Sequence, residues 1–205
     1  MEFNEITDYI ENLYKNYNMI KQHEFIQESG LKEFCPVIET ETARLLRLLL
    51  RLKTPNKVLE IGTSIGYSTA SIAMVLKEWK GKIITIELDP YIAQQARKNF
   101  ERWGITEIVD IRIGDAMELL PDLKEKFDFI FFDPFNDVYP LLLPYCIQLM
   151  NKGGILIADD TLSPIFKNAS YNSPLHKYNQ IISKLPDFES TILAVGDGVT
   201  IAVKK

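Results

Sequence analysis

Apolar residues fall along this chain in two alternating rhythms. Short runs rich in β-branched and aromatic residues read as strands buried on both faces. Each is followed by a longer stretch with apolar positions three and four apart, as in a helix packed on one side. Residues 57–61 predict a first strand and 67–77 a helix; 82–87 and 90–103 repeat the pair, with Pro90 at the helix start. A third strand over 108–113 precedes a short helix at 116–120, and a fourth over 127–133 precedes a helix at 138–150. A fifth strand covers 154–159. This succession is that of a parallel sheet with helices on both faces.

The two ends depart from it. Residues 1–53 read as wholly helical, an N-terminal extension to a main domain at 54–205. Within 40–53, Ala43, Leu46 and Leu50 share one side, and Arg44, Arg47 and Arg51 form a charged stripe. At the other end, 191–195 and 199–203 flank Gly196-Asp197-Gly198, which predicts a closing antiparallel hairpin.

Composition narrows the class. The 205 residues are 46% hydrophobic and 25% charged, enough apolar material for one large domain with a sizeable core. Lys and Arg total 23 against 28 Asp and Glu, and a net charge of −5 disfavours a nucleic-acid or membrane-surface protein. Two cysteines, Cys35 and Cys146, supply neither a disulfide framework nor a C-x-x-C site. The first residues carry no basic-then-apolar signal, and no apolar run approaches the ~20 residues of a membrane helix, so a soluble cytoplasmic protein is expected.

The acids carry the chemistry. Glu60, Glu87, Asp115, Asp133 and the pair Asp159-Asp160 fall at the ends of five successive predicted strands. In an open parallel sheet these positions emerge at one edge, where ligands bind at the switch point. One such acid would read as a helix cap; five in succession predict a ligand site. Between the first strand and helix, Glu60-Ile61-Gly62-Thr63-Ser64-Ile65-Gly66 supplies a glycine turn and free helix N–H donors. It lacks the G-x-G-x-x-G of dinucleotide sites, which disfavours a dehydrogenase, and its leading acid repels a diphosphate but suits an amine. Glu87 is placed to accept hydrogen bonds from two ribose hydroxyls. Together these features point to S-adenosylmethionine.

From about Pro36 onward the chain resembles the catechol and caffeoyl-CoA O-methyltransferase family. The resemblance rests on Val58-Leu59-Glu60-Ile61-Gly62-Thr63-Ser64-Ile65-Gly66-Tyr67-Ser68, Ile86-Glu87-Leu88-Asp89-Pro90 and Gly114-Asp115-Ala116. It continues in the strand through Asp133, the run Gly153 to Leu162, and Val195-Gly196-Asp197-Gly198-Val199-Thr200. It implies a Rossmann-like, doubly wound, mostly parallel seven-stranded sheet with a C-terminal antiparallel hairpin, and a homodimer. Cofactor positions are then Glu60, Gly62, Thr63, Gly66, Tyr67, Ser68, Glu87, Asp115, Ala116 and Asp133. Glu87 takes the ribose, and Asp115-Ala116 border the adenine. The resemblance further implies a divalent cation, Mg²⁺ foremost, on Asp133 and Asp159 with Asp160 at a third ligand position. The acceptor it implies is a small catechol-like molecule bearing a hydroxyl.

Two departures fall on the chemistry. The family's Asp-Asn after the fifth strand is Asp159-Asp160 here, which keeps an oxygen donor and adds charge. The family's Asp-x-x-Lys is Asp133-Pro134-Phe135-Asn136, so the catalytic positions are Asp133 and Asn136, and Asn136 cannot take a proton. A metal that lowers the pKa of the acceptor hydroxyl could supply that function, as could Lys167, His176 or Lys177 in the segment 161–178. Two alternatives stay open: a nucleic-acid methyltransferase acting on a base or a transfer-RNA hydroxyuridine, and a cofactor-binding protein without catalysis.

Overall fold

The chain alternates short, largely apolar strands with helices that are apolar on one side, and this alternation assembles a three-layer structure. The computed structural model describes residues 3–15, 20–30, 35–166 and 173–205. Three helices, α1 (Phe3–Tyr14), α2 (Gln22–Ser29) and α3 (Thr40–Lys53), precede the sheet. Then follow β1 (Lys57–Ile61), α4 (Tyr67–Leu76), β2 (Lys82–Glu87), α5 (Pro90–Arg102), β3 (Val109–Ile113), the short α6 (Ala116–Leu119), β4 (Phe127–Phe132), α7 (Tyr139–Leu149) and β5 (Met150–Ala158). After α8 (Ser163–Phe166) and α9 (Pro174–Ile182), the strands β6 (Phe188–Leu193) and β7 (Val199–Lys204) close the chain.

The seven strands pair in the order β3-β2-β1-β4-β5-β7-β6. The first five are parallel, and β7 runs antiparallel to both β5 and β6. The Rossmann-like sheet and its closing hairpin are therefore as expected. The order reverses between β1 and β4, so the loops after those two strands diverge and leave a crevice at the switch point.

Strand β4 shows how the core divides. Its side chains alternate across the sheet. Phe129 and Phe131 join the layer of α2 to α5, with Phe25, Leu46, Leu50, Ala70 and Phe100. Ile130 and Phe132 join the layer of α7 and α9, with Tyr139, Leu142, Tyr178 and Ile182. Among the described residues no helix is long and apolar enough to cross a membrane.

Two expectations change. The region before the sheet is not wholly helical, because residues 35–39 lie outside any helix ahead of α3. The arginine stripe of α3 divides: Arg51 is exposed and paired with Glu78, whereas Arg47 is 5% exposed, and Arg44 donates to Glu11 at 2.7 Å and lies 4.7 Å over the Tyr14 ring. Strand β5 begins four residues earlier than predicted, since Met150 pairs with Phe127 ahead of a bulge, and Gly153 at φ 72° makes the turn that the bulge needs.

Candidate active site

The loop after β1 is fixed from below. Glu60 is the penultimate residue of β1 and fully buried. Its carboxylate accepts from Thr85 Oγ1 at 2.6 Å and from Thr69 Oγ1. Because the single proton of Thr85 points at Glu60, Thr63, 2.5 Å away, must be the donor to Thr85. Burial pushes the Glu60 carboxyl up to about 7, although the hydroxyls of Ser68, Thr69 and Thr85 pull it back. Both threonine bonds fall on Oε2, so that oxygen braces the loop from beneath, while Oε1 makes no hydrogen bond within the protein. Thr63, also fully buried, serves the same frame.

Above that frame the backbone is exposed to the crevice. Gly62 has φ 94°, and its N–H donates to the Ile86 carbonyl at 3.0 Å. Gly66 has φ 89°, and a Cβ there would meet the Phe100 ring at 2.4 Å, so packing on α5 accounts for this glycine. Tyr67 turns away from the strand ends: its ring meets Phe25 edge-on at 5.5 Å and its hydroxyl approaches the Ile20 carbonyl at 3.4 Å. Ser68 is buried in the first turn of α4 beside Glu60. The side chains of Tyr67 and Ser68 therefore anchor α4, and the loop offers its main chain.

The next two strand ends supply acceptors. Glu87 accepts from Ser64 N at 2.8 Å and Asp89 N at 3.0 Å, which sets its carboxylate at the rim of the loop. Ser64 in turn donates to the Pro36 carbonyl at 2.7 Å and sits 3.0 Å from the Cys35 thiol, tying segment 35–39 across the crevice. Asp115 caps α6 through Met117 N at 2.8 Å and stands exposed with Ala116 beside it.

Beyond the switch point lie the remaining acids. Asp133 follows β4, held by its N–H to the Ile61 carbonyl at 2.9 Å. Asp159 follows β5; it is 3% exposed, and its Oδ1 has no hydrogen-bond partner. Burial raises both carboxyls well above the usual range, and each is raised further by acidic neighbours: Asp159, Asp160, Glu60 and Glu39 for Asp133; Glu39, Asp160 and Asp197 for Asp159. Tyr139 fixes the pair by donating to the Asp159 carbonyl at 2.9 Å, with the Phe132 carbonyl 3.3 Å away. Asp160 takes φ 59°, a left-handed turn that Asp and Asn adopt more readily than other side chains. Its carbonyl accepts from Ser163 N, while Thr161 N and Leu162 N donate to Gly198 and Asp197, each at 2.9 Å. The G-D-G turn is thereby stitched to the loop after β5.

Asn136 lies in the short turn after β4, and its amide reaches Ser163 Oγ at 3.4 Å. The other basic candidates are placed apart from it or not at all. His176 opens α9 and pairs with Gln180 at 3.1 Å, Lys177 is exposed, and Lys167 lies outside the described residues. Two acids join the cluster that the strand pattern did not single out, Glu39 and Asp197. Glu39 sits just before α3, where it reads as an ordinary helix cap, and no signal in the sequence reveals that it crosses to the G-D-G turn. A cavity of about 390 Å³ between α1 and α3, lined in part by Glu11, Ile20 and Arg44, is separate from these strand ends.

Known proteins match this arrangement. The model of a family described as O-methyltransferase fits residues 16–205. A catechol O-methyltransferase from Niastella koreensis is 32% identical over 166 residues, covering 78% of this chain and 74% of that protein. A caffeoyl-CoA O-methyltransferase from Eucalyptus globulus is 29% identical over 177 residues, covering 78% and 72%. The crystal structure of an O-methyltransferase from Bacillus cereus in complex with SAH superposes with a TM-score of 0.82 at 26% identity, covering 96% of this chain and 97% of that one. The family model spans most of the chain, and the chain is a member of the O-methyltransferase family, an S-adenosylmethionine-dependent methyltransferase.

Proposed function

We propose that the protein methylates a hydroxyl oxygen of a small catechol-like acceptor with the help of a divalent cation, Mg²⁺ foremost, on Asp133, Asp159 and Asp160. The observation that carries this reading is the buried Asp159 carboxylate with an unpartnered Oδ1, set among other carboxylates at the crevice. A buried anion is costly unless paired, and Asp133, Asp159 and Asp160 carry the oxygen donors that suit a hard cation. Among the described residues no three acids stand together as a formed ion-binding cluster, so the fit to the group is one of donor chemistry. When bound, such a cation lowers the pKa of an acceptor hydroxyl. Asn136 holds no proton to exchange at neutral pH, so it positions the turn through Ser163 and the chain supplies no lysine base at that point.

On the cofactor side, the main chain at Gly62 and the Glu87 carboxylate hold the methionine and ribose portions, and Asp115 with Ala116 borders the adenine. Orientation then does most of the work, since transfer needs the acceptor oxygen in line with the methyl and its leaving sulfur. Homodimerisation belongs to the same proposal, supported by Ile6, Tyr9 and Leu13, which α1 leaves exposed at 44%, 66% and 63%.

The test is a calorimetric Mg²⁺ titration of protein saturated with S-adenosylhomocysteine, with Asp133→Ala alongside, followed by methyl transfer to a catechol. Saturable binding that Asp133→Ala removes, with Mg²⁺-dependent turnover, is the expected result. Turnover unaffected by chelators would overturn the role of the cation.

A further inference from the structure

The loop after β1 is also held from the side, by α5. Asn99 lies near the end of that helix and is 1% exposed, a position where an apolar residue is the default. Its Nδ2 donates to the Ile65 carbonyl at 2.9 Å, and Arg102 Nη1 donates to its Oδ1 at 3.1 Å. A guanidinium only donates and a carbonyl only accepts, so these two partners fix which end of the Asn99 amide faces the loop. The next residue, Phe100, sets its ring 2.4 Å from where a Cβ on Gly66 would stand. Two adjacent side chains of α5 thus engage two adjacent residues of the loop.

The C=O and N–H of a trans peptide point in opposite directions. With the Ile65 carbonyl turned toward Asn99, the Gly66 N–H points back across the loop and donates to the Thr63 carbonyl at 2.9 Å. The Gly66 carbonyl then accepts from Ala70 N at 2.8 Å and opens α4. The peptide that Asn99 grips therefore joins the glycine turn to the helix. We propose that Asn99 is a positioning residue for S-adenosylmethionine: it sets the loop main chain at the height from which the methionine end is bound, and Arg102 locks the amide that does so. This inference rests on the reading above in which the loop holds the methionine portion, and it adds a residue from outside the loop. The effect should be confined to the amino-acid end of the cofactor, because Glu87 keeps its separate bond from Asp89 N.

Asn99→Asp keeps the size of the side chain and an acceptor for Arg102 but removes the donor to Ile65. Calorimetry gives its affinity for S-adenosylhomocysteine. Displacement of that ligand gives its affinity for methylthioadenosine, which has the adenosine and thioether without the amino-acid end. S-adenosylhomocysteine is expected to weaken about tenfold and methylthioadenosine about twofold or less. Arg102→Met, at an exposed position, is the second variant should Asn99→Asp fold poorly, and should weaken S-adenosylhomocysteine selectively by about threefold. Equal weakening of both ligands would make Asn99 a strut of the whole fold and overturn the inference. Undiminished affinity for S-adenosylhomocysteine in both variants would overturn it too, and would leave the loop reading in place. If the wild-type protein binds the two ligands equally, the loop does not hold the methionine portion, and that reading falls together with this inference.

Discussion

Gly62 and Asp133 meet backbone to backbone across the switch point: a Cβ on Gly62 would lie 2.0 Å from the Asp133 carbonyl oxygen. The glycine that opens the cofactor loop therefore also positions the acid at the end of β4. The loop proposed to hold the cofactor and the acid proposed to hold the cation thus touch directly, without an intervening side chain.

Substituting Gly62 should consequently damage both halves. Gly62→Ala combines a left-handed φ with a direct clash, and the backbone strain alone costs about 1–3 kcal/mol. Denaturant unfolding should show at least that loss. Calorimetry should show weakened binding of both S-adenosylhomocysteine and Mg²⁺, and a variant that lost only the first would break the proposed coupling.

Glu60 makes stability depend on pH in a known direction. Its carboxyl is held at about 7 in the folded chain against an ordinary value of 4.5. A raised folded value means the native state keeps the proton longer, so the favourable contribution is full below about 4.5 and is lost as pH rises through about 7. The loss relative to Glu60→Gln should approach about 3 kcal/mol over that window, at 1.36 kcal/mol per pH unit. Unfolding curves of the two proteins from pH 4 to 8 check this, and a constant difference across the range would refute the assignment.

Glu87 and Asp133 should separate the two ligands. Glu87→Ala removes the acceptor proposed for the ribose and should weaken S-adenosylhomocysteine by about tenfold to a hundredfold, the scale of charged hydrogen bonds. Mg²⁺ binding, measured at saturating S-adenosylhomocysteine, should persist. Asp133→Ala should do the opposite. Unchanged cofactor affinity in Glu87→Ala would move the ribose elsewhere.

Asp160 sits at φ 59°, where a β-branched residue is strained by about 1–2 kcal/mol. Asp160→Asn should keep the fold and its stability, whereas Asp160→Val should lower the unfolding free energy by that amount before any ligand is added. Equal melting of the two variants would show that the turn relaxes.

The order of elements was readable because its cause is local. The run 129–132 is wholly apolar and too short for a helix, so it reads as a strand buried on both faces, and Asp89-Pro90 marks a helix start through the cap that the Asp89 carboxylate makes with Tyr91 N at 2.7 Å. That Glu87, Asp115, Asp133 and Asp159 lie at one edge of the sheet was readable for a related reason. Parallel strands in one sheet must end on the same edge, so chain position alone brings those acids together. What each side chain does there was a different matter. Glu60 and Glu87 both close strands in the sequence pattern, yet Thr69 and Thr85 surround the one, and backbone N–H groups orient the other at the rim. Tyr67 follows the glycine loop directly and still faces α2, because the first turn of α4 rotates it toward Phe25.

The chain by itself thus determined the fold and the set of carboxylates at one edge of the sheet, since periodicity and strand direction are properties of neighbouring residues. Only the tertiary structure decided which carboxylates are buried braces and which face the crevice, and only it brought Glu39 to Gly196 and Asp197. Burial and through-space charge depend on elements far apart in sequence, and no local pattern records them.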